Sequence, residues 1–232
     1  MTLVVFDLDG TLVDSLAQIS ASMNMARAAF GFEPLEIGRY RELLGRPVSD
    51  LFDDLILNDE ASAQLIIEFR KILLREIQKQ NKVFDGVVSG LSLLAECGAK
   101  FAIATSKPSD LAKQVVYNSE LRDFDFFVRG TDAEPHKPDP FVILECLRHF
   151  DPPNAVMIGD RTEDMEAALS AGVPGVGITA SGHTNTQLKN SGAHTVFESF
   201  ADLTRTISNV SDPVAYLLRG EASKMKSLGE SL

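Results

Sequence analysis

Two aspartates with one residue between them, Asp7 and Asp9, follow an apolar run at residues 3–6 and precede Gly10. Side chains alternate along an extended chain, so the two carboxylates point the same way, ~7 Å apart along the backbone, if strand geometry persists. Like charges that close coexist by holding a cation or by sharing a proton. More groups of this kind follow at the ends of later apolar runs: Thr105-Ser106-Lys107-Pro108, then His136-Lys137-Pro138-Asp139, then Gly159-Asp160-Arg161-Thr162-Glu163-Asp164. A hydroxyl, a lysine and two further carboxylates thereby join the first pair.

These residues need elements that bring them together. The run at 3–6, with its valines, has the composition of a strand buried on both faces, such as the central strand of a parallel sheet. Open α/β sheets bind ligands at the carboxyl ends of their strands, and that is where the acids fall. Ser15 and Gln18 have capping-box spacing and predict a helix that runs to about residue 30, ahead of Gly31. From residue 33 to about 82 apolar residues recur at helical intervals without a strand, broken at Gly45-Arg46-Pro47 and Asn58-Asp59. Beyond Phe84-Asp85-Gly86 strands are expected at 100–104, 126–129, 155–158, 175–179 and 195–197. Helices are expected at 88–97, 109–118, 140–150, 163–171 and 199–208. Such alternation predicts the α/β class, a doubly wound parallel sheet with helices on both faces. Residues 1–14 and 82–212 form the expected core domain and 15–81 an inserted all-helical domain. Residues 213–232 are a C-terminal tail, at most a short frayed helix.

The 232 residues are 44% hydrophobic, enough for a packed core, and carry a net charge of −11. That charge argues against nucleic acid or an anionic membrane surface as a partner, so a phosphate site must be positive locally. No signal peptide and no membrane span is expected. The two cysteines, Cys97 and Cys146, sit in apolar-periodic segments and read as buried helical thiols of a cytoplasmic protein.

Four motifs, in order, carry a resemblance: Asp7-Leu8-Asp9-Gly10-Thr11, Thr105 closing an apolar strand, Lys137 in Lys-Pro-Asp-Pro, and Gly159-Asp160 with Asp164. Together they resemble the haloacid dehalogenase (HAD) superfamily of phosphohydrolases, with a Rossmann-like core. The helical insertion resembles that family's cap, and the length and Thr-Ser-Lys-Pro resemble its phosphoglycolate phosphatases. The resemblance implies that Asp7 is the nucleophile that forms an aspartyl phosphate, and that Asp9 protonates the leaving alkoxide and then activates water. It implies Mg²⁺ on the carboxylates of Asp7 and Asp160 and the backbone carbonyl of Asp9. Asp164 would orient Asp160 or a water on the ion, or ligate directly. Thr105, with the N–H groups behind it at Ser106, binds a phosphoryl oxygen, and Lys137 offsets the concentrated negative charge. Gly10 and Thr11 fit the turn and backbone contacts to phosphate. Lys107 reads either as a phosphate contact or as a solvated loop lysine. Arg46 reads either as a reader of a substrate carboxylate or as a surface ion pair. His136 reads as a loop histidine, Asp14 as a helix-start residue in the hinge, and Arg161 as a surface or flank residue.

The function expected from the resemblance is a Mg²⁺-dependent phosphatase of a small phosphorylated metabolite, 2-phosphoglycolate first, acting as a monomer or homodimer. Alternatives are a nucleotide 5′-phosphatase or inorganic pyrophosphatase, then a sugar phosphomutase. Dehalogenation has no use for an acid/base Asp9 or a metal set. A phospho-accepting receiver also gathers acids, a hydroxyl and a lysine at parallel strand ends, but it would be far shorter and lack the helical insertion. A regulatory relative without activity would lack Asp7 or Asp9.

Overall fold

The fold, given by a computed structural model, is described for residues 1–43, 48–132, 134–179 and 182–219. The valine-rich run forms β1 (Thr2–Phe6), and the residues from Leu3 to Phe6 are shielded completely from solvent. The chain then builds α1 (Leu16–Ala29), α2 (Ile37–Leu43), a 3₁₀ turn (Val48–Phe52) and α3 (Asp59–Ile77) before any second strand. Afterwards α4 (Val87–Glu96), β2 (Lys100–Ala104), α5 (Ser109–Tyr117), β3 (Phe126–Arg129), α6 (Phe141–Phe150), β4 (Asn154–Gly159) and α7 (Thr162–Ser170) alternate. The chain continues through β5 (Gly175–Ile178), α8 (Asn185–Asn190), β6 (Ala193–Phe197), α9 (Phe200–Ile207) and α10 (Pro213–Arg219).

The six strands pair in parallel in the order β3-β2-β1-β4-β5-β6, as the βαβ reading requires. β1 lies between β2 and β4, and the winding direction reverses beside it. The crevice beyond the carboxyl end of β1 is therefore the topological switch point, and Asp7 stands there. Alternate residues of β1 face different cores. Val4 and Phe6 pack into the larger one with α4, α9 and the helical segment, while Leu3 and Val5 meet α6 and α7 on the other face. The Phe6 ring lies 5.9 Å from Phe101, 6.3 Å from Phe126 and 6.2 Å from Phe200, centroid to centroid. Phe6→Ala is expected to lower stability by about 3–5 kcal/mol, read as a lower denaturant midpoint at unchanged slope.

The helical segment leaves and rejoins the sheet at one place. Val13 bridges Val83, the Asp14 N–H donates to Lys82 O at 2.9 Å, and the Asp14 carboxylate lies 3.5 Å from Lys82 Nζ. Asp14 thus ties the two crossing strands of chain together rather than starting a helix. Asn58 caps α3 by accepting the Ala61 N–H at 2.8 Å, and the buried stripe Leu65, Phe69, Ile72, Leu73 and Ile77 packs on α1.

Three expectations are corrected. The Ser15–Gln18 box does not form: Ser15 makes no cap bond, and Gln18 donates instead to Glu76 O at 3.1 Å, joining α1 to α3. Helix α8 was not expected; it is short and polar, although Thr184 and Gln187 do form a capping box there. The tail begins with a short helix, as the expectation allowed: α10 buries Val214, Tyr216 and Leu217 in the larger core. Cys97 is exposed, because α4 ends at Glu96 and its buried stripe of Val87, Leu91 and Leu94 stops short of it. Cys146 is buried as expected, and burial pushes its thiol up to about 12. Among the described residues no helix is long and apolar enough to cross a membrane.

Candidate active site

Asp7 leaves β1 still pinned to β4, its N–H donating to Ile158 O at 2.9 Å. The chain then turns sharply, with the N–H groups of Leu12 and Val13 both donating to Leu8 O at 3.0 Å. Gly10 makes the turn at φ +91°, in the left-handed region, and a Cβ there would fall 2.6 Å from Asp160 Oδ2. The turn delivers Thr11, whose hydroxyl donates to Asp160 Oδ1 at 2.6 Å. Thr11 therefore orients an acid at the end of β4. Gly10→Ala is expected to displace Asp160 and so to weaken any divalent cation held by the acids at this strand end at least about tenfold, measured by calorimetric titration; unchanged affinity would separate Asp160 from such a site.

Asp164 sits in the first turn of α7. Its Oδ2 accepts the N–H groups of Asp160 and Arg161, each at 3.1 Å, and its Oδ1 takes Lys137 Nζ at 2.5 Å. A side chain at Gly159 would place Cβ 2.4 Å from Asp164 Oδ2, so the close approach depends on glycine. Lys137 completes the lattice by donating to Asp7 Oδ1 at 2.6 Å and to Ala104 O at 3.0 Å. Its three donors thus meet three acceptors from β1, β2 and α7. Burial works against the ammonium, but Asp164 and Asp7 outweigh it and hold its pKa above the ordinary lysine value. Asp7 is pushed the other way for a carboxyl, up to about 8, by burial above all; Lys137 opposes the rise, and Asp164 and Asp160 add to it.

Asp7, Asp160 and Asp164 each offer an oxygen within 4.8 Å of the others. Three buried carboxyl groups with one ammonium leave a deficit of positive charge that a divalent cation would fill. All the donors are oxygens, with no sulfur or imidazole, which suits a hard ion such as Mg²⁺. Asp164, already accepting from two N–H groups and an ammonium, is built to orient its neighbours.

Asp9 lines the same cavity, but its carboxylate is not part of this cluster. The strand ends at Phe6, but the alternation carries on through Leu8, which packs with Val4 and Phe6, so that both acids line the cavity. Asp9 Oδ2 lies 3.0 Å from Lys107 Nζ, and its Oδ1 is buried without a hydrogen-bond partner. Thr105 is buried at the end of β2, its Oγ1 accepting the Lys107 N–H at 3.2 Å, and Ser106 Oγ is buried with no partner.

The cavity holds about 270 Å³. Its floor carries Asp7, Thr105 and Lys137, and the helical segment covers it with Ile19, Leu51, Phe69 and Leu73. Lys107, with a side chain only 6% exposed, is no solvated loop residue. Nor is Arg161 a surface residue: it is buried in the cavity wall, where the first turn of α7 starts. Its place between Asp160 and Asp164, at a strand end rich in site residues, was the available signal. His136 also lines the cavity, and burial lowers its pKa against the pull of Asp50. Arg70 of α3 reaches the cavity wall as well, a helical-segment cation that sequence reading did not single out. Arg46 lies outside the described residues.

A parallel sheet with this donor set at its switch point, closed by a helical insertion, defines a class of hydrolase. Residues 4–178 match the haloacid dehalogenase-like hydrolase family, and the chain belongs to it. Over 209 residues it is 32% identical to a phosphoglycolate phosphatase of Caulobacter vibrioides, covering 86% of this chain and 88% of that one. It is 31% identical to a protein of Dickeya dadantii named "Probable phosphatase IndB", covering 92% of this chain and 98% of the other. A hydrolase structure from Pseudomonas syringae is 29% identical, with a TM-score of 0.72 over 90% of this chain and 99% of that one. Within the family the chain groups with the phosphatases, the phosphoric monoester hydrolases.

Proposed function

We propose that this hydrolase is a Mg²⁺-dependent phosphatase of a small phosphorylated metabolite, that it works through an aspartyl phosphate on Asp7, and that 2-phosphoglycolate is its leading substrate. The observation that carries the reading is the bridge of Lys137 between Asp7 and Asp164, within a cluster of three carboxylates at the carboxyl end of β1. Lys137 holds Oδ1 of Asp7 and so fixes the rotation of the attacking carboxylate. A bond forms from Asp7 to phosphorus as the bond to the leaving oxygen breaks. Asp9 donates its proton to that oxygen; water then attacks phosphorus, giving its proton back to Asp9 and releasing inorganic phosphate and free Asp7. Oδ1 of Asp9, buried and without a bond, suits the transfer, while Lys107 steadies Oδ2. Thr105 and Ser106 supply hydroxyls to the phosphoryl oxygens. Asp7 and Asp160, oriented by Asp164, would hold Mg²⁺, which would supply positive charge against the phosphoryl group.

The cavity of about 270 Å³ is at the small end for a ligand site, which supports a small leaving group over a nucleoside. The relative in Caulobacter named phosphoglycolate phosphatase supports the same choice. Residues 15–81 act as the cap that excludes bulk water. The net charge of −11 speaks against nucleic acid or an anionic membrane as partner, leaves the phosphate site to its local cations, and is in keeping with a place in the cytoplasm. Assayed with Mg²⁺ against nucleoside monophosphates, pyrophosphate and hexose phosphates, 2-phosphoglycolate is expected to have the highest kcat/KM, by about tenfold or more. A nucleotide or pyrophosphate in first place would overturn the substrate choice, and no hydrolysis of any of them would overturn the activity.

A further inference from the structure

The cavity above Asp7 gathers buried polar atoms that the protein leaves without hydrogen bonds: Asp9 Oδ1, Ser106 Oγ, His136 Nδ1 and Arg161 Nε. Asp9 and Ser106 already have places in the phosphoryl chemistry. Arg161 has none. Its side chain is 9% exposed, and its one ion-pair partner among the described residues is Glu163, 3.4 Å from Nε and 3.5 Å from Nη2. A guanidinium carries five donors in a planar fork and keeps its proton, and buried donors are seldom left without acceptors. Glu163 thus meets the fork loosely at two points, Nε makes no hydrogen bond, and this buried arginine in the wall of a substrate cavity keeps donors that the described residues do not satisfy.

The side chain starts from a fixed point. The Arg161 N–H donates to Asp164 Oδ2 at 3.1 Å, so the fork is carried by the same lattice that orders Asp7 and Lys137. The phosphoryl group already has Lys137, Thr105, Ser106 and the cation site around it. Glu163 beside the guanidinium offsets part of its charge, which suits a singly charged planar acceptor better than a doubly charged phosphoryl group. Planar carboxylates match the guanidinium fork with two parallel hydrogen bonds.

We propose that Arg161 determines specificity by gripping a carboxylate on the leaving-group side of the substrate. The inference rests on the phosphatase reading above and extends it: the substrate is a phosphoester that bears a second, carboxylate anion.

The test is calorimetric titration in excess Mg²⁺ with 2-phosphoglycolate and with ethyl phosphate, which has the same carbon count and no carboxylate. Asp7→Asn protein is used so that neither compound turns over. Tighter binding of 2-phosphoglycolate is expected, and adding Arg161→Met should reduce that preference about tenfold or more, the usual scale for a charge-assisted pair. Arg161→Lys keeps the charge without the fork and is expected to lose at least about threefold of the preference; it carries the test should the methionine variant not fold. A preference unchanged within about twofold, or an equal weakening of both ligands, overturns the inference while leaving the phosphatase reading intact. If Asp7→Asn protein binds neither compound, the same preference is read as the ratio of the two KM values on protein that keeps Asp7, with and without Arg161→Met; if that protein hydrolyses neither compound, the phosphatase reading falls and the inference with it.

Discussion

Asp7→Asn is expected to lower kcat for p-nitrophenyl phosphate by at least about three orders of magnitude while the protein stays folded. The loss is large because the amide cannot form the acyl phosphate, and residues that act as one unit do not compensate for each other. The fold survives because Lys137 keeps Asp164 and Ala104 O as partners. A second readout comes from stability in metal-free buffer. Burial raises the Asp7 carboxyl to about 8 from the ordinary 3.8, so between those values the unfolded chain loses a proton that the folded one retains. Stability from this group is therefore complete below about pH 4 and is lost as pH climbs through about 8. The amide that replaces the carboxyl in Asp7→Asn does not titrate. The Tm of Asp7→Asn minus that of the wild type, measured in chelator, should thus rise from about pH 4 to about pH 8; a difference that falls over this range would contradict the burial argument.

Asp9→Asn should be nearly as damaging by another route, lowering kcat about 10²–10⁴-fold in steady-state assays with Mg²⁺. Asp9 serves the first half-reaction as acid and the second as base, and with p-nitrophenyl phosphate, whose leaving group departs without protonation, it is the second that suffers. Phosphoenzyme should therefore accumulate. Lys107 loses its buried carboxylate partner at the same time, so Lys107→Met is a useful companion. Should Asp9→Asn retain wild-type kcat, the proton role would pass to another group.

The parts of this architecture set by local chemistry were legible in the sequence. β2 and β3 have their expected bounds, and β4, β5 and β6 differ from theirs by two residues or fewer, since short apolar runs between helices leave little freedom of register. Asp7, Thr105, Asp160 and Asp164 come together because each follows a strand or opens a helix at the carboxyl end of the sheet, and Lys137 reaches them from the loop between β3 and α6. What escaped the reading depends on distant contacts. Gln18 prefers Glu76 O, fifty-eight residues on, to the box with Ser15. Lys107 and Arg161 look like ordinary charged loop residues until tertiary structure sets them against Asp9 and in the cavity wall. Strand alternation placed Asp7 and Asp9 on one cavity but could not supply the partners that distinguish them, Lys137 for Asp7 and Lys107 for Asp9. Cys97 was misplaced because periodicity does not fix the last turn of a helix to within one residue.

The central claim is that Asp7 carries the phosphoryl group during turnover. Its most direct test is rapid acid quench of Asp9→Asn protein after mixing with p-nitrophenyl phosphate and Mg²⁺, followed by peptide mass spectrometry. A phosphoryl group on Asp7, absent when Mg²⁺ is chelated, is the predicted result. Release of p-nitrophenol with Asp7 unmodified and the phosphoryl group on another residue would contradict it.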